Sequence, residues 1–98
     1  MPRPRMRRFI QHTAPVRYFK PQGIPLRTIR SIELTAEELE ALRLKHMEGL
    51  EQQACAERMG TSQSTLQRIL SSAHTKVSTA LVEGCAIRIL GEEPDSDV

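Results

Sequence analysis

The sequence predicts a mainly α chain, three helices behind an extended N-terminal wrap, and three observations carry that prediction. A capping box at Thr35 and Glu38 opens a run of apolar residues at helical spacing. Glycines at positions 49 and 60 then punctuate the chain where helices should stop. Residues 66–81 hold the longest set of apolar positions at spacings of three and four. Composition agrees, because 39% of the residues are hydrophobic but only 3% aromatic, with no Trp, which leaves the core to Leu, Ile, Val, Met and Ala. A chain of 98 residues suits one domain with a modest core.

Charge divides the chain into three parts. Residues 1–34 hold eight of the fourteen Lys and Arg against a single acid, Glu33. Residues 35–60 reverse the sign, and the end of the chain carries Glu92, Glu93, Asp95 and Asp97 with no base among them. Residues 1–15 therefore read as a basic flexible arm, 16–91 as the folded domain and 92–98 as an acidic disordered tail. In the arm, prolines alternate with mutually repelling arginines, so it has little apolar surface to bury.

From residue 16 to 34, Pro21, Gly23 and Pro25 separate short apolar pieces (Val16, Tyr18 and Phe19, then Ile24, Leu26, Ile29, Ile32 and Leu34). That pattern predicts turns with room for one or two short strands. At Thr35 the first helix begins, running through Leu39, Ala41, Leu42, Leu44 and Met47 to Gly49. Its many Glu residues read as a solvated face. A second, short helix spans about 51–59 and ends at Gly60; Thr61 and Ser62 offer a fresh cap, and a third helix follows over about 62–81 with Leu66, Ile69, Leu70, Ala73, Val77, Ala80 and Leu81 on one face. Gly84 stops it, and residues 86–90 are rich enough in β-branched side chains to form a closing strand.

The second and third helices fit a helix-turn-helix. Such a motif needs a small residue four before the turn glycine, because the helices approach closely; here it is Ala56 before Gly60. Cys55 and Met59 supply apolar contacts from one helix, Leu66 and Ile69 from the other. The opposite face of the third helix is left to Ser62, Gln63, Ser64, Gln67, Arg68, Ser71 and Thr75, with Lys76 beyond. Gln and Arg are side chains that bond bidentately to the edges of adenine and guanine in the major groove. Arg68 and Lys76 are the cations of this helix, and phosphate neutralisation supplies much of DNA affinity, so the remaining charge is expected from Arg3, Arg5, Arg7 and Arg8, a flexible arginine arm suited to an A·T-rich minor groove.

From Leu34 to Val77 the chain resembles, without a gap, the fourth conserved region of bacterial sigma factors, through Leu34, Glu38, Ala41, Leu42, Leu44, Glu48-Gly49-Leu50, Ala56-Glu57, Gly60, Ser62, Thr65, Leu70, Ala73 and Lys76. Beyond that stretch, Met1-Pro-Arg-Pro-Arg, Tyr18-Phe-Lys-Pro-Gln-Gly-Ile-Pro-Leu, Glu38-Leu-Glu-Ala-Leu-Arg-Leu, Cys55-Ala-Glu-Arg-Met-Gly and Arg68-Ile-Leu are similar to a family of small uncharacterised prokaryotic proteins, a domain of unknown function presumed to bind DNA. The resemblance implies a sigma region-4-like helix-turn-helix. Members of that family often carry a cysteine just behind the N-terminal Pro-Arg-Pro-Arg, where this chain has Met6, Arg7 and Arg8, so no metal or redox role is expected of the arm.

The expected function is thus a DNA-binding protein, a transcriptional regulator whose third helix enters the major groove of double-stranded DNA. The alternative is a sigma-like interaction module that contacts RNA polymerase or another regulator. A homodimer is expected, since one such helix reads few base pairs and residues 16–34 and 86–90 offer β-prone surface; the contrary arrangement has those two segments pair inside one chain. No serine nucleophile elbow, phosphate-cradling glycine loop or paired carboxylate in an apolar setting occurs, so no enzyme activity, catalytic residue or cofactor is expected. Cys55 and Cys85 lack partners at metal-ligand spacing and read as small buried hydrophobes; His12, His46 and His74 fall at no ligand spacing to one another and read as surface or packing residues. No apolar run of about 18 residues and no signal sequence is readable, which places the chain in the cytoplasm with no membrane partner.

Overall fold

The computed structural model describes residues 17–90. The arginine arm (Arg3, Arg5, Arg7 and Arg8), His12 and the acidic tail lie outside the described residues. The described chain is mainly helical with a small three-stranded sheet: strand β1 (Tyr18–Phe19), a short 3-10 turn (Leu26–Thr28), strand β2 (Ser31–Leu34), helix α1 (Ala36–Leu42) continuing into a π turn (Arg43–Met47), helix α2 (Gln52–Met59), helix α3 (Gln63–Glu83) and strand β3 (Ala86–Ile89). No helix among these residues is long and apolar enough to cross a membrane.

Each helix is bounded by the residues the sequence supplies for it. Thr35 holds an extended backbone, its hydroxyl accepts from the Glu38 N–H at 3.1 Å, and the Glu38 carboxylate accepts from the Thr35 N–H at 2.9 Å, closing both halves of the capping box. α3 begins at Ser62, whose hydroxyl accepts from the Thr65 N–H at 3.1 Å, and ends at Gly84 in the left-handed region. It therefore runs two residues past the expected end. The end of the first helix differs more: from Arg43 it widens into a π turn, with the Glu48 N–H bonded to the Arg43 carbonyl at 3.0 Å, five residues back. That change of pitch leaves Met47, expected on the apolar face, 82% exposed while Leu44 is fully buried.

β3 is the central strand. It runs antiparallel to β1, pairing Tyr18 with Arg88 and Phe19 with Ile87, and parallel to β2, pairing Ser31 with Ala86 through Leu34 with Ile89. The two segments that could have offered edges to a second copy thus pair with each other within one chain, leaving β1 and β2 as the outer strands. The parallel pair β2–β3 is joined by all three helices. Across it, Arg88 and Glu33 form an exposed ion pair at 3.2 Å.

The main core is helical. Ala41, Leu44, Cys55, Ala56, Met59, Leu66 and Leu70 form one buried cluster, with Leu42, Leu50 and Ile69 packed on it. Four of these side chains, Leu44, Met59, Leu66 and Cys55, are the largest that lose all contact with solvent. Burial pushes the Cys55 thiol up, against the pull of Lys45 and Arg58, so this cysteine is a core residue as expected.

Two expectations about faces are corrected. Leu81 continues the apolar stripe of α3 by spacing, yet it is 76% exposed. At that end Ala80, not Leu81, is the buried residue of the stripe. The acidic face of α1 is not solvated throughout either, because Glu38 and Glu40 are both buried. Each is compensated as a buried carboxylate must be. The Arg43 guanidinium grips Glu40 with two bonds, Nε to Oε1 at 3.0 Å and Nη2 to Oε2 at 2.9 Å, and reaches Glu48 with Nη1 at 3.1 Å.

Candidate nucleic-acid interface

The turn between α2 and α3 fixes the helix that carries most of the predicted contact residues. Gly60 adopts φ +70° and ψ +38°, a conformation that costs a residue with a side chain but not glycine. The Thr61 N–H then returns to the Ala56 carbonyl at 3.0 Å and the Gly60 N–H to that of Glu57 at 3.1 Å, satisfying the end of α2 within three residues. Ala56, one turn before the glycine, is buried, and its small side chain allows the close approach of the helices.

On α3 the buried positions Leu66, Leu70 and Ala73 define one side, and Gln63, Ser64, Gln67, Arg68, Ser71 and Thr75 are all exposed away from it. Residues 64, 68, 71 and 75 follow one another at helical spacing, so the structure brings them into a single row. No ion pair engages Arg68 among the described residues.

Two of the predicted residues are otherwise employed. Ser62 is exposed, but its hydroxyl caps α3 and also donates to Thr65 Oγ1 at 2.9 Å. Lys76 turns toward α1, where Nζ meets Glu38 Oε1 at 2.9 Å with only 31% of its side chain exposed. The Ser72 hydroxyl donates to the other carboxylate oxygen. Burial alone would raise the Glu38 pKa, but the bonds from Ser72, the Thr35 amide and Lys76, with the charge of Lys76, together hold it below the usual carboxylate value. The sequence carried a signal for the capping role of Glu38 and none for the reach of Lys76 across to it, because the two residues are 38 apart.

One further meeting of side chains has no signature in the spacing. His46, in the π turn, and His74, on α3, approach with Nε2 to Nε2 at 2.8 Å. Both are exposed, in keeping with surface or packing residues, and spacing alone does not show that they meet.

A mainly helical chain with a helix-turn pair presenting a polar row, closed by a three-stranded sheet, is the class defined so far. The chain matches the family described as "Protein of unknown function DUF134" over residues 1–97 and belongs to it. It is 54% identical over 91 residues to the UPF0251 protein of Moorella thermoacetica, covering 93% of this chain and 61% of that protein. The UPF0251 protein of Desulforudis audaxviator is likewise 54% identical, with 60% of its length covered, and UPF0251 protein TTE1845 of Caldanaerobacter subterraneus subsp. tengcongensis is 52% identical, with 77% covered. The chain thus spans about three fifths of the first two relatives. No solved structure matches it.

Proposed function

We propose that the chain is a DNA-binding protein of the helix-turn-helix type that regulates transcription, with α3 as the helix entering the major groove. The observation that carries this reading is the exposed row Ser64, Arg68, Ser71 and Thr75, flanked by Gln63 and Gln67, on a helix whose opposite face is clamped in the core. Rigid presentation matters because base-edge hydrogen bonds discriminate only when the side chains are held at a fixed depth in the groove. Gln67 and Arg68 are the base readers in this proposal and Ser64 and Ser71 the phosphate or sugar contacts. The arm with Arg3, Arg5, Arg7 and Arg8 supplies the charge that α3 lacks, and two copies on one site supply the discrimination that a single helix cannot. No catalytic step is proposed for any residue.

The pairing of Lys76 with Glu38 favours a second reading to the extent that it removes a cation from the interface: an interaction module docking on RNA polymerase or a regulator. One experiment separates the two. Binding of the chain to random duplex DNA is measured at low and at physiological salt, then to duplexes selected from genomic DNA, with light scattering of the complexes. The DNA reading expects salt-dependent binding to any duplex and two chains per selected site. It also expects a loss of about 1–3 kcal/mol at that site in Gln67→Ala or Arg68→Ala. No binding at low salt removes DNA and leaves the interaction module.

A further inference from the structure

We propose that two copies of this chain meet at the outer edge of β2, each β2 lying antiparallel to that of its partner so that the two sheets join edge to edge. The inference rests on the two-copy part of the reading above and names its surface. β2 gives its inner edge to β3: the Ala86 N–H donates to the Arg30 carbonyl and the Leu90 N–H to that of Leu34, both at 2.9 Å. Backbone groups point to alternate edges along a strand, so Ile32 also faces β3, while Ser31 and Glu33 turn their N–H and C=O outward. Among the described residues β3 is the only strand beside β2, which leaves those outward groups without a strand partner. Both residues are exposed. The other outer strand offers less. Arg17 accepts from the Ile89 N–H at 2.7 Å and Phe19 pairs with Ile87, so Tyr18 alone points outward from β1.

The residues of the edge select one register. Two identical strands closed about a two-fold axis lie antiparallel, with outward residues bonded to outward residues. An axis at Glu33 would set two carboxylates opposite each other, which destabilises a sheet. An axis at Ser31 would set Glu33 against Ile29, whose N–H is already spent on the Leu26 carbonyl at 3.3 Å. With the axis at Ile32, Ser31 of each copy stands opposite the partner's Glu33, and every outward N–H and C=O of the two residues is bonded. The Ser31 hydroxyl then has the partner's Glu33 carboxylate to donate to. Ile32, half-buried and on the same face as Leu34 and Ile87, meets its own counterpart across the axis. A charged residue often guards an edge, but Glu33 is already balanced by Arg88 of its own chain at 3.2 Å. So short a contact falls well below the about 1,600 Å² of a standard interface. It therefore closes when a duplex holds two chains side by side and raises the effective concentration of one for the other.

Ile32→Cys reads the contact directly, because residues opposed at such a position have Cα atoms about 4.5 Å apart, within disulfide reach. Oxidation of the full chain is followed on non-reducing gels, at high chain concentration and with duplexes selected from genomic DNA. The wild type, Arg27→Cys on the exposed 3-10 turn and the double variant Ser31→Pro with Ile32→Cys are run beside it. Ser31→Pro removes one outward N–H, a change that edge strands tolerate, and far-UV circular dichroism checks each fold. Cross-linked dimer is expected at least about tenfold faster in Ile32→Cys than in the wild type or Arg27→Cys, and Ser31→Pro is expected to remove that advantage. Cross-linking of Ile32→Cys no faster than Arg27→Cys, or unchanged by Ser31→Pro in a folded chain, overturns the inference. If light scattering still finds two chains per duplex, the DNA reading stands and its dimer surface lies elsewhere. Fast cross-linking of Ile32→Cys in a chain that binds no duplex keeps the β2 contact and removes the DNA reading instead.

Discussion

The two halves of α3 are one continuous helix with one apolar periodicity, yet they are stabilised in different ways. The first half, residues 63–73, lies in the helical core and buries Leu66, Leu70 and Ala73 while keeping an outer face wholly polar. The second half, residues 74–83, runs to the sheet, buries only Ala80 and leaves Leu81 76% and Val82 84% exposed. Periodicity states which residues share a face of a helix; it does not state how wide the neighbour on that face will be. Where α1 and α2 flank α3, the stripe is covered. Where the partner is a sheet of three short strands, only its centre is.

Substitutions that sharpen this contrast should scale with it. Leu66→Ala removes a fully buried side chain from the half where three helices meet, and a loss of about 2–5 kcal/mol is expected in denaturant unfolding. A smaller effect is expected where the halves join, at Glu38. Glu38→Ala takes away the acceptor of Ser72, the return bond of the capping box and the partner of Lys76, for a loss of about 1–3 kcal/mol.

Glu38 also gives the chain an acid-sensitive term. Its pKa is lower folded than unfolded, so its stabilisation is complete above the unfolded value of about 4.3 and drains away as pH falls through the folded one. Unfolding followed from pH 6 to pH 3 should therefore show a flatter acid limb in Glu38→Gln than in the wild type. Equal limbs would place the acid sensitivity elsewhere. The smallest effect belongs to the second half of α3: Leu81→Ala should change stability by less than about 0.5 kcal/mol, and a large loss there would mean that the exposed Leu81 is covered in solution.

How much of this was legible in the sequence follows the same division between near and far. Thr35 with Glu38, Gly60, Ser62 and Gly84 act on backbone groups a few residues away, so the ends of the helices could be read to within a residue or two. The exposed row on α3 was legible for the same reason, since Leu66, Leu70 and Ala73 define its opposite. Strand β3 was legible as a strand, but its place between β1 and β2, parallel to one and antiparallel to the other, depends on pairing with distant residues. The π turn was hidden because Arg43, Leu44, Lys45, His46 and Met47 are ordinary helix residues, and nothing in their order marks the change of pitch. Lys76 read as a cation for phosphate because its acidic partner lies on another helix. His46 and His74 went unpaired in the sequence for the same cause.

The central position of β3 has a consequence in time. The ribosome makes β1 and β2 first, but Glu33 waits 55 residues for Arg88, its partner in register, and neither early strand has a neighbour in the sheet until residues 86–89 emerge. The helices between them wait less, because even their far contact, Glu38 to Lys76 across 38 residues, closes over a shorter stretch of chain than Glu33 to Arg88. The last ordered strand is therefore what releases the first ones from waiting, and a chain cut short before residue 86 would keep the residues of its helical core and leave Tyr18, Phe19 and Ile32 with no strand to pair.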